Sequence, residues 1–388
     1  MQIDLGAASS SLSEAISVAG RGLVERESLV EMIALAAVAR EHVLVIGPPG
    51  TGKSEAVRRI AVATGALYFE YLLGRFTEPS EIFGPVDIRK LKEGLVETET
   101  SGMLPEAEVA FLDEVFLGST AILNTLLSIL NERMFRRGHT RMKCGLRVCV
   151  GASNTLPEDD SLAAFADRFL VRVFVDPIAD PMLERLLDGG WTLDLNPVTA
   201  RSSIEQIDAL AAAAVEADMS EVRPLIAQAV RTLRSIGIVF SDRRAVKVQR
   251  LVAAAAVLAG RTRPGEPDLW PLIFAVPTRD QQSSARDALR DLLDRSNNAS
   301  LPAAAEEASL GRIARANRIA AAGRVVLADR PLEGGPEQLR AWRLKLEGVA
   351  REIDAGFTVE QSPADLTEVR ARIVEALREQ TAPVQSRD

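Results

Sequence analysis

The sequence predicts an α/β fold, with a five-stranded parallel sheet between two helical layers (an αβα core), then an all-helical lid and further C-terminal helices. Three observations lead there. Five short apolar runs alternate with helical patterns over the first half of the chain. One of them, VLVI, feeds directly into GPPGTGKS at 47–54. After Asp176-Pro177 the strand pattern stops and only helical periodicity continues.

Taken in order, residues 11–40 read as one or two helices, and SLVEMIALAAVA is apolar around most of its circumference, as a buried helix is. VLVIG at 43–47 is a continuous apolar run bounded by glycine, the pattern of a strand buried on both faces. ALYFEYL (66–72), EVAFLDE (108–114), LRVCVGAS (146–153) and FLVRVFV (169–175) repeat it. Between them, Ile122, Leu123, Leu126, Leu127, Leu130 and Met134 fall at helical spacing over 119–134. RMFRRGHTRMKCGLRVCV then reads as a hairpin turning at RRGH before the next core strand. Beyond 180–200, Ser202 and Glu205 suggest a capping box, Val222 to Leu233 a clean apolar stripe, and Ser241 or Asp242 the N-cap of a third lid helix. One further helix is expected near 281–295 and a solvated helical hairpin at 336–355 and 364–379, with TAPVQSRD as a disordered tail. The expected division is a core with N-terminal helices at 1–190, a lid at 191–278 and a C-terminal helical region at 279–388.

Composition narrows the function classes. The 388 residues are 47% hydrophobic and 26% charged, an ordinary globular balance with room for two or three cores. A net charge of -8 argues against a nucleic-acid or anionic-membrane partner. No apolar stretch reaches the roughly 18–20 residues that span a bilayer, so no membrane insertion is expected. Cys144 and Cys149 are read as reduced thiols of a cytoplasmic protein, and neither His42 nor His139 has neighbours at metal-ligand spacing.

The chemistry is carried by a few short segments. Gly47-Pro48-Pro49-Gly50-Thr51-Gly52-Lys53-Ser54 satisfies G-x-x-x-x-G-K-[ST] between a strand and a helix, so backbone N–H groups and the helix N-terminus would cradle phosphates. These residues, with Glu55, form the expected ATP-binding set. Lys53 should reach the β and γ phosphates and the Ser54 hydroxyl should ligate Mg²⁺. Asp113 and Glu114 close VAFLDE, where one carboxylate would hold Mg²⁺ through water and the other would polarise the attacking water. Asn154 closes CVGASN, from which an amide could reach the γ phosphate or that water, although asparagines there commonly bond local backbone. Arg168 in AFADRFLVR is poorly placed to fold back to its own P-loop, whereas Arg243, opening a lid helix, could face the nucleotide. A surface salt bridge is the plain alternative for both.

GPPGTGKS, GRFTEPSEIFGPVDI, SGMLPEAEVAFLDEVFLGSTAILNTLLSILNERMFRRG, GASNTLPEDDSLAAFADRFLVR and SDRRA, in this order, resemble the MoxR family of AAA+ ATPases and most of all its RavA-like branch. The likeness spans about 22–275. It implies a hexameric homo-oligomer with ATP sites between subunits, in which Lys53 is the Walker A lysine, Asp113 and Glu114 the Walker B pair and Asn154 sensor 1. Arg168 would be an arginine finger acting in trans and Arg243 sensor 2, with Arg172 and Arg244 as their alternatives. It also implies a helix-2 insert near Gly84 to Met103, a hairpin before sensor 1 near Phe135 to Leu146, and chaperone-like remodelling of a protein client, often with a von Willebrand factor A domain partner. After about residue 300 the chain departs from the RavA-like pattern, because no β-rich insertion interrupts the C-terminal helices. The rival reading is a nucleotide-dependent switch or scaffold that recruits partners without mechanical work.

Overall fold

The structure, a computed structural model, describes residues 4–178, 180–193, 197–331, 335–357 and 362–378. The tail TAPVQSRD lies outside them. Seven strands are present among the described residues: β1 (Val43–Ile46), β2 (Tyr68–Leu72), β3 (Val109–Asp113), β4 (Met134–Arg137), β5 (Thr140–Lys143), β6 (Val148–Ser153) and β7 (Val171–Phe174). Five of them form one parallel sheet in the order β2-β3-β6-β1-β7, while β4 and β5 make a separate antiparallel hairpin. The five apolar runs are thus the five strands of the sheet.

Register fixes what the sheet can present. Val43 pairs with Val150 and Val171, and Ile46 with Ser153 and Phe174, so β1 sits between β6 and β7 with all strand ends level. Leu72 pairs with Asp113 at the far side. A parallel sheet gathers the carboxyl ends of its strands along one edge, where ligands of open α/β sheets bind. Residues 47, 114 and 154 follow strand ends at this carboxyl edge, whereas His42 and Leu170 precede strands at the amino edge.

Helices cover both faces because β1 and β6 are buried throughout. Helix Glu27–Ala39 has eleven consecutive buried residues, Leu29 to Ala39, which accounts for its apolar circumference. Helix Thr120–Glu132 buries Ile122, Leu123, Leu126, Ile129 and Leu130 and ends on Arg133 in the left-handed region, so Met134 opens β4 instead of closing the helix. The next cap also moves by one residue. Ser203, not Ser202, caps helix Ile204–Glu216: its Oγ accepts from the Gln206 N–H at 3.4 Å, while the Gln206 side chain accepts from the Ser203 N–H at 3.0 Å.

By its contacts the chain divides into two units, Met1–Pro177 with Leu195–Ser309, and Ile178–Asp194 with Leu310–Asp388. The contacts therefore do not break at 190 or 278. In the first unit, lid helices Ile204–Glu216, Val222–Ser235 and Asp242–Leu258 pack with the core, and the last of these buries Val248 and an unbroken run from Leu251 to Leu258. In the second unit, helices Arg312–Ala328, Pro336–Gly356 and Ala364–Arg378 share a core that includes Ile319, Trp342, Leu346, Val349, Val369 and Ile373. The expected solvated hairpin is thus a bundle with an interior, and the buried Trp342 indole satisfies its N–H on the Val326 carbonyl at 2.6 Å. No strand follows β7 among the described residues. None of the described helices is long and apolar enough to cross a membrane.

Candidate functional site

The site begins with the loop after β1. Gly50 and Gly52 both take φ near +75°, open to glycine at no steric cost, and this curls the loop toward helix Lys53–Ala63. Gly47 is required for a different reason: a Cβ there would lie 2.2 Å from the Val175 carbonyl oxygen. Thr51 Oγ1 braces the loop by donating to the Pro48 carbonyl at 2.9 Å. Lys53 is buried, and its ammonium donates to the Gly47 and Pro48 carbonyls at 2.7 and 2.8 Å. Burial lowers its pKa, opposed by Asp113 and Glu114 across the site. Ser54 occupies the first turn of the same helix. Glu55 follows it and pairs with Arg58 at 2.9 Å, so its carboxylate has a partner on its own helix.

The acidic pair arrives at the end of β3. Asp113 Oδ1 accepts from the Glu114 N–H at 3.0 Å. Glu114 itself has φ 48°, left-handed geometry that is uncommon outside glycine and tends to persist at functional sites. Asn154 Nδ2 donates to Glu114 Oε1 at 2.8 Å. The strand that ends at Asn154 also touches the loop, since the Gly47 N–H donates to the Ser153 carbonyl at 3.1 Å. Lysine, carboxylate pair and asparagine therefore meet along the carboxyl edge, as their positions after strands predict.

The arginines do not meet there. Arg243 donates to Asn131 Oδ1 near the end of helix Thr120–Glu132, and its neighbour Lys247 pairs with Glu41, just before β1. Arg244 is 2% exposed and donates from Nε to Asp167 Oδ1 at 2.7 Å and from Nη1 to the Leu170 carbonyl at 3.1 Å. All these acceptors border the amino edge. The first turn of the lid helix thus meets the core at the amino edge, opposite the P-loop of the same chain. Arg172, in β7, is 3% exposed and donates to the Ala166 carbonyl, and burial together with the Arg244 charge lowers its pKa to about 9. Its guanidinium is interior to the chain. Arg168 is half-buried in the loop between helix Asp160–Ala166 and β7, with no ion pair or side-chain hydrogen bond among the described residues.

Two site-bordering residues escaped the sequence reading. Arg26 is buried and bridges three segments, donating to the carbonyls of Thr51, Asp176 and Glu25, each at 2.7 Å. It ties the phosphate loop to the exit of β7. Arg279 pairs with Asp176 at 2.8 Å and lies over the Phe174 ring, 5.4 Å from its centroid, joining a later helix to the same exit. The only available signal was a charged residue flanking an apolar helix in GLVERESLV, a pattern that surface arginines share. His42 is a buried core residue: Nδ1 accepts from the Cys149 N–H at 3.0 Å, and Nε2 meets both the Leu130 carbonyl at 3.0 Å and the Arg133 guanidinium. His139 accepts from the Val96 N–H at 3.0 Å, and among the described residues no cluster of His, Cys, Asp and Glu could itself hold a metal ion.

Known proteins share this plan. Residues 10–212 match the family model described as the MoxR domain in the MoxR-vWA-beta-propeller ternary systems. Two uncharacterized proteins of Methanocaldococcus jannaschii are 39% identical over 248 residues and 38% identical over 240. Those alignments cover 63% and 61% of this chain but 66% and 62% of the relatives, so the chain spans less than two thirds of either. The crystal structure of a candidate ATPase from Cytophaga hutchinsonii superposes with a TM-score of 0.60 at 15% identity, covering 75% of this chain and 96% of that one, a likeness of fold. With the loop, acidic pair and asparagine at one sheet edge and a family model matching more than half of its length, the chain belongs to the MoxR family of AAA+ ATPases.

Proposed function

We propose that the chain hydrolyses Mg-ATP at a site completed by a second copy of itself, and that a ring of such copies, a hexamer in our reading, works on a protein client. One observation carries this reading. The groups that would bind phosphate and activate water lie at the carboxyl edge, while Arg168, which has no side-chain partner among the described residues, lies by the amino edge. This layout holds Arg168 away from its own phosphate loop, where it could serve a neighbour's.

In that reading Lys53 leaves the Gly47 and Pro48 carbonyls for the β and γ phosphates, which offer it full charges in place of dipoles. Glu114 takes the proton of the attacking water, with Asn154 fixing the carboxylate that does so. The donor set suits Mg²⁺: Ser54 and Asp113 supply hard oxygens, and the absence of a carboxylate cage among the described residues fits an ion held mainly by phosphates and water. When bound, the ion would neutralise phosphate charge. Arg168 would enter the neighbour's site as the finger and Arg243 would approach the same neighbour from the lid. Of Arg168, Arg172, Arg243 and Arg244 only Arg244 has an ion-pair partner among the described residues, which leaves a field suited to a triphosphate.

The matched family model is described from systems that combine MoxR, vWA and beta-propeller components, which supports a von Willebrand factor A domain partner for this chain. The RavA-like branch rests on the motifs quoted above. A cytoplasmic setting accords with the two free, buried cysteines. The test is ATP turnover per chain against protein concentration, beside Arg168→Ala. A steep rise with concentration, and a variant that binds ATP without turning it over, is expected. Flat turnover indifferent to Arg168 would mean a site complete in one chain.

A further inference from the structure

Among the described residues Arg168 has no side-chain partner to aim it, so its direction depends on the backbone of the short loop that carries it. Backbone bonds shape that loop, from the Asp167, Arg168 and Phe169 N–H groups to the Ala163, Phe165 and Ala166 carbonyls at 3.0, 3.0 and 3.1 Å, and Arg172 of β7 also donates to the Ala166 carbonyl. One side chain of the lid adds bonds to the loop from the other side. Arg244 donates to Asp167 Oδ1 at 2.7 Å, to the Leu170 carbonyl at 3.1 Å and, at the limit of reach, to the Phe169 carbonyl at 3.5 Å. Its acceptors lie on both sides of Arg168.

We propose that Arg244 and Asp167 are positioning residues that clasp the Arg168 loop, so that the lid sets where the finger points. The inference rests on the reading of Arg168 as a residue acting in trans. The clasp is firm at its own base. Arg244 sits in the first turn of helix Asp242–Leu258, where its N–H donates to Ser241 Oγ at 3.2 Å, and Nη1 also reaches the Ala275 carbonyl at 2.7 Å. Arg243 and Lys247 pin the same turns to Asn131 and Glu41. Arg172 faces Asp167 from the strand side and holds the Ala166 carbonyl, so the carboxylate lies near two buried guanidiniums. A planar, forked guanidinium reaches these separated acceptors from fixed positions, whereas lysine would offer a compact point charge on a flexible stem.

A finger displaced by about 1 Å can lose on the order of 10²-fold in rate, so loosening the clasp should act on turnover and leave nucleotide affinity alone. The test uses the full chain with Asp167→Asn and Arg244→Lys, beside Arg168→Ala and Glu114→Gln. Asp167 has a side chain 36% exposed, so its variant carries the test if Arg244→Lys does not fold. Expected for the clasp variants is a fall in kcat of roughly 10- to 100-fold with ATP affinity within about twofold, measured with a fluorescent ATP analogue. Mixing either clasp variant with Glu114→Gln before assembly should restore activity, because the Glu114→Gln subunits lend an intact finger to an intact P-loop. Purely structural damage would not be rescued in this way.

If Arg168→Ala is itself not rescued by Glu114→Gln, the trans reading fails and the clasp fails with it. If Arg168→Ala is rescued while the clasp variants keep full turnover, or lose activity that mixing does not restore, the clasp alone is overturned.

Discussion

The two edges of the central sheet are built in different ways. At the carboxyl edge, Asp113 closes β3, Glu114 and Asn154 directly follow β3 and β6, and Lys53 follows β1 across one glycine loop, so strand register and that loop bring them together. At the amino edge, Arg168, Arg243 and Arg244 come from a loop and a lid helix separated by more than seventy residues, and only tertiary packing unites them. The first edge is fixed by local sequence, and the second by how the lid docks. A half-site made from local motifs tolerates drift elsewhere in the chain, whereas one made by docking responds to anything that moves the lid.

The comparison breaks hardest at Arg168. Arg168→Ala should lower kcat by about 10³- to 10⁵-fold while ATP binding, followed by fluorescence, stays intact. An equal loss of binding would make Arg168 part of its own chain's nucleotide pocket. Glu114→Gln at the other edge should cost ~10²- to 10⁴-fold, again with ATP retained, and rapid-quench kinetics should show the hydrolysis step slowed. Gly47→Ala sharpens the contrast by stability: the added methyl meets the Val175 carbonyl, so a loss of ~1–3 kcal/mol in denaturant melts is expected, together with weaker ATP binding.

The smallest effect belongs to the amino edge and to pH. Burial, with Arg133 adding to it, holds the His42 pKa well below its ordinary value. The folded state keeps His42 neutral where the unfolded chain takes up a proton, so this contribution to stability is present above about pH 6.5 and is lost as the pH falls. The expected slope is about 1.4 kcal/mol per pH unit below that point. Glu41 next to it is shifted up by burial and titrates with the opposite sign. The readout is therefore the difference in stability between the native chain and His42→Asn, whose amide can still accept from the Cys149 N–H. A pH-independent difference would mean that His42 is solvated.

The carboxyl edge was legible because its information is local. An apolar run names a strand, and the residue after it names a position on the edge, so Lys53, Asp113, Glu114 and Asn154 could be placed without knowing how helices pack. The pairs Arg168/Arg172 and Arg243/Arg244 could not be separated by sequence, because the residues of each pair differ in burial and not in neighbours along the chain. The structure shows that difference in burial: Arg172 and Arg244 are interior, while Arg168 and Arg243 are only partly covered. Arg26 went unread for a related reason, since its three acceptors are backbone carbonyls, which leave no mark in a sequence. The grouping of helix Leu183–Leu193 with the C-terminal bundle was equally hidden, because it is settled by contacts with residues far along the chain, such as the Glu184–Lys345 pair at 2.6 Å.

The hairpin β4–β5 has a mechanical consequence. It is fastened to the segment between Gly84 and Thr98, with the Thr98 N–H donating to Thr140 Oγ1 at 2.7 Å, the His139 N–H to the Val96 carbonyl at 2.7 Å and Arg137 to the Gly84 carbonyl at 3.0 Å. The two inserts therefore travel as one body. That body hangs from the amino end of β6, whose other end carries Asn154 and its bond to Glu114. Paired on both sides and buried throughout, β6 is a fixed strut of about 20 Å between the hairpin and the Asn154–Glu114 bond. A load on the exposed Ile88 and Leu91 would therefore reach the hairpin and the foot of that strut together.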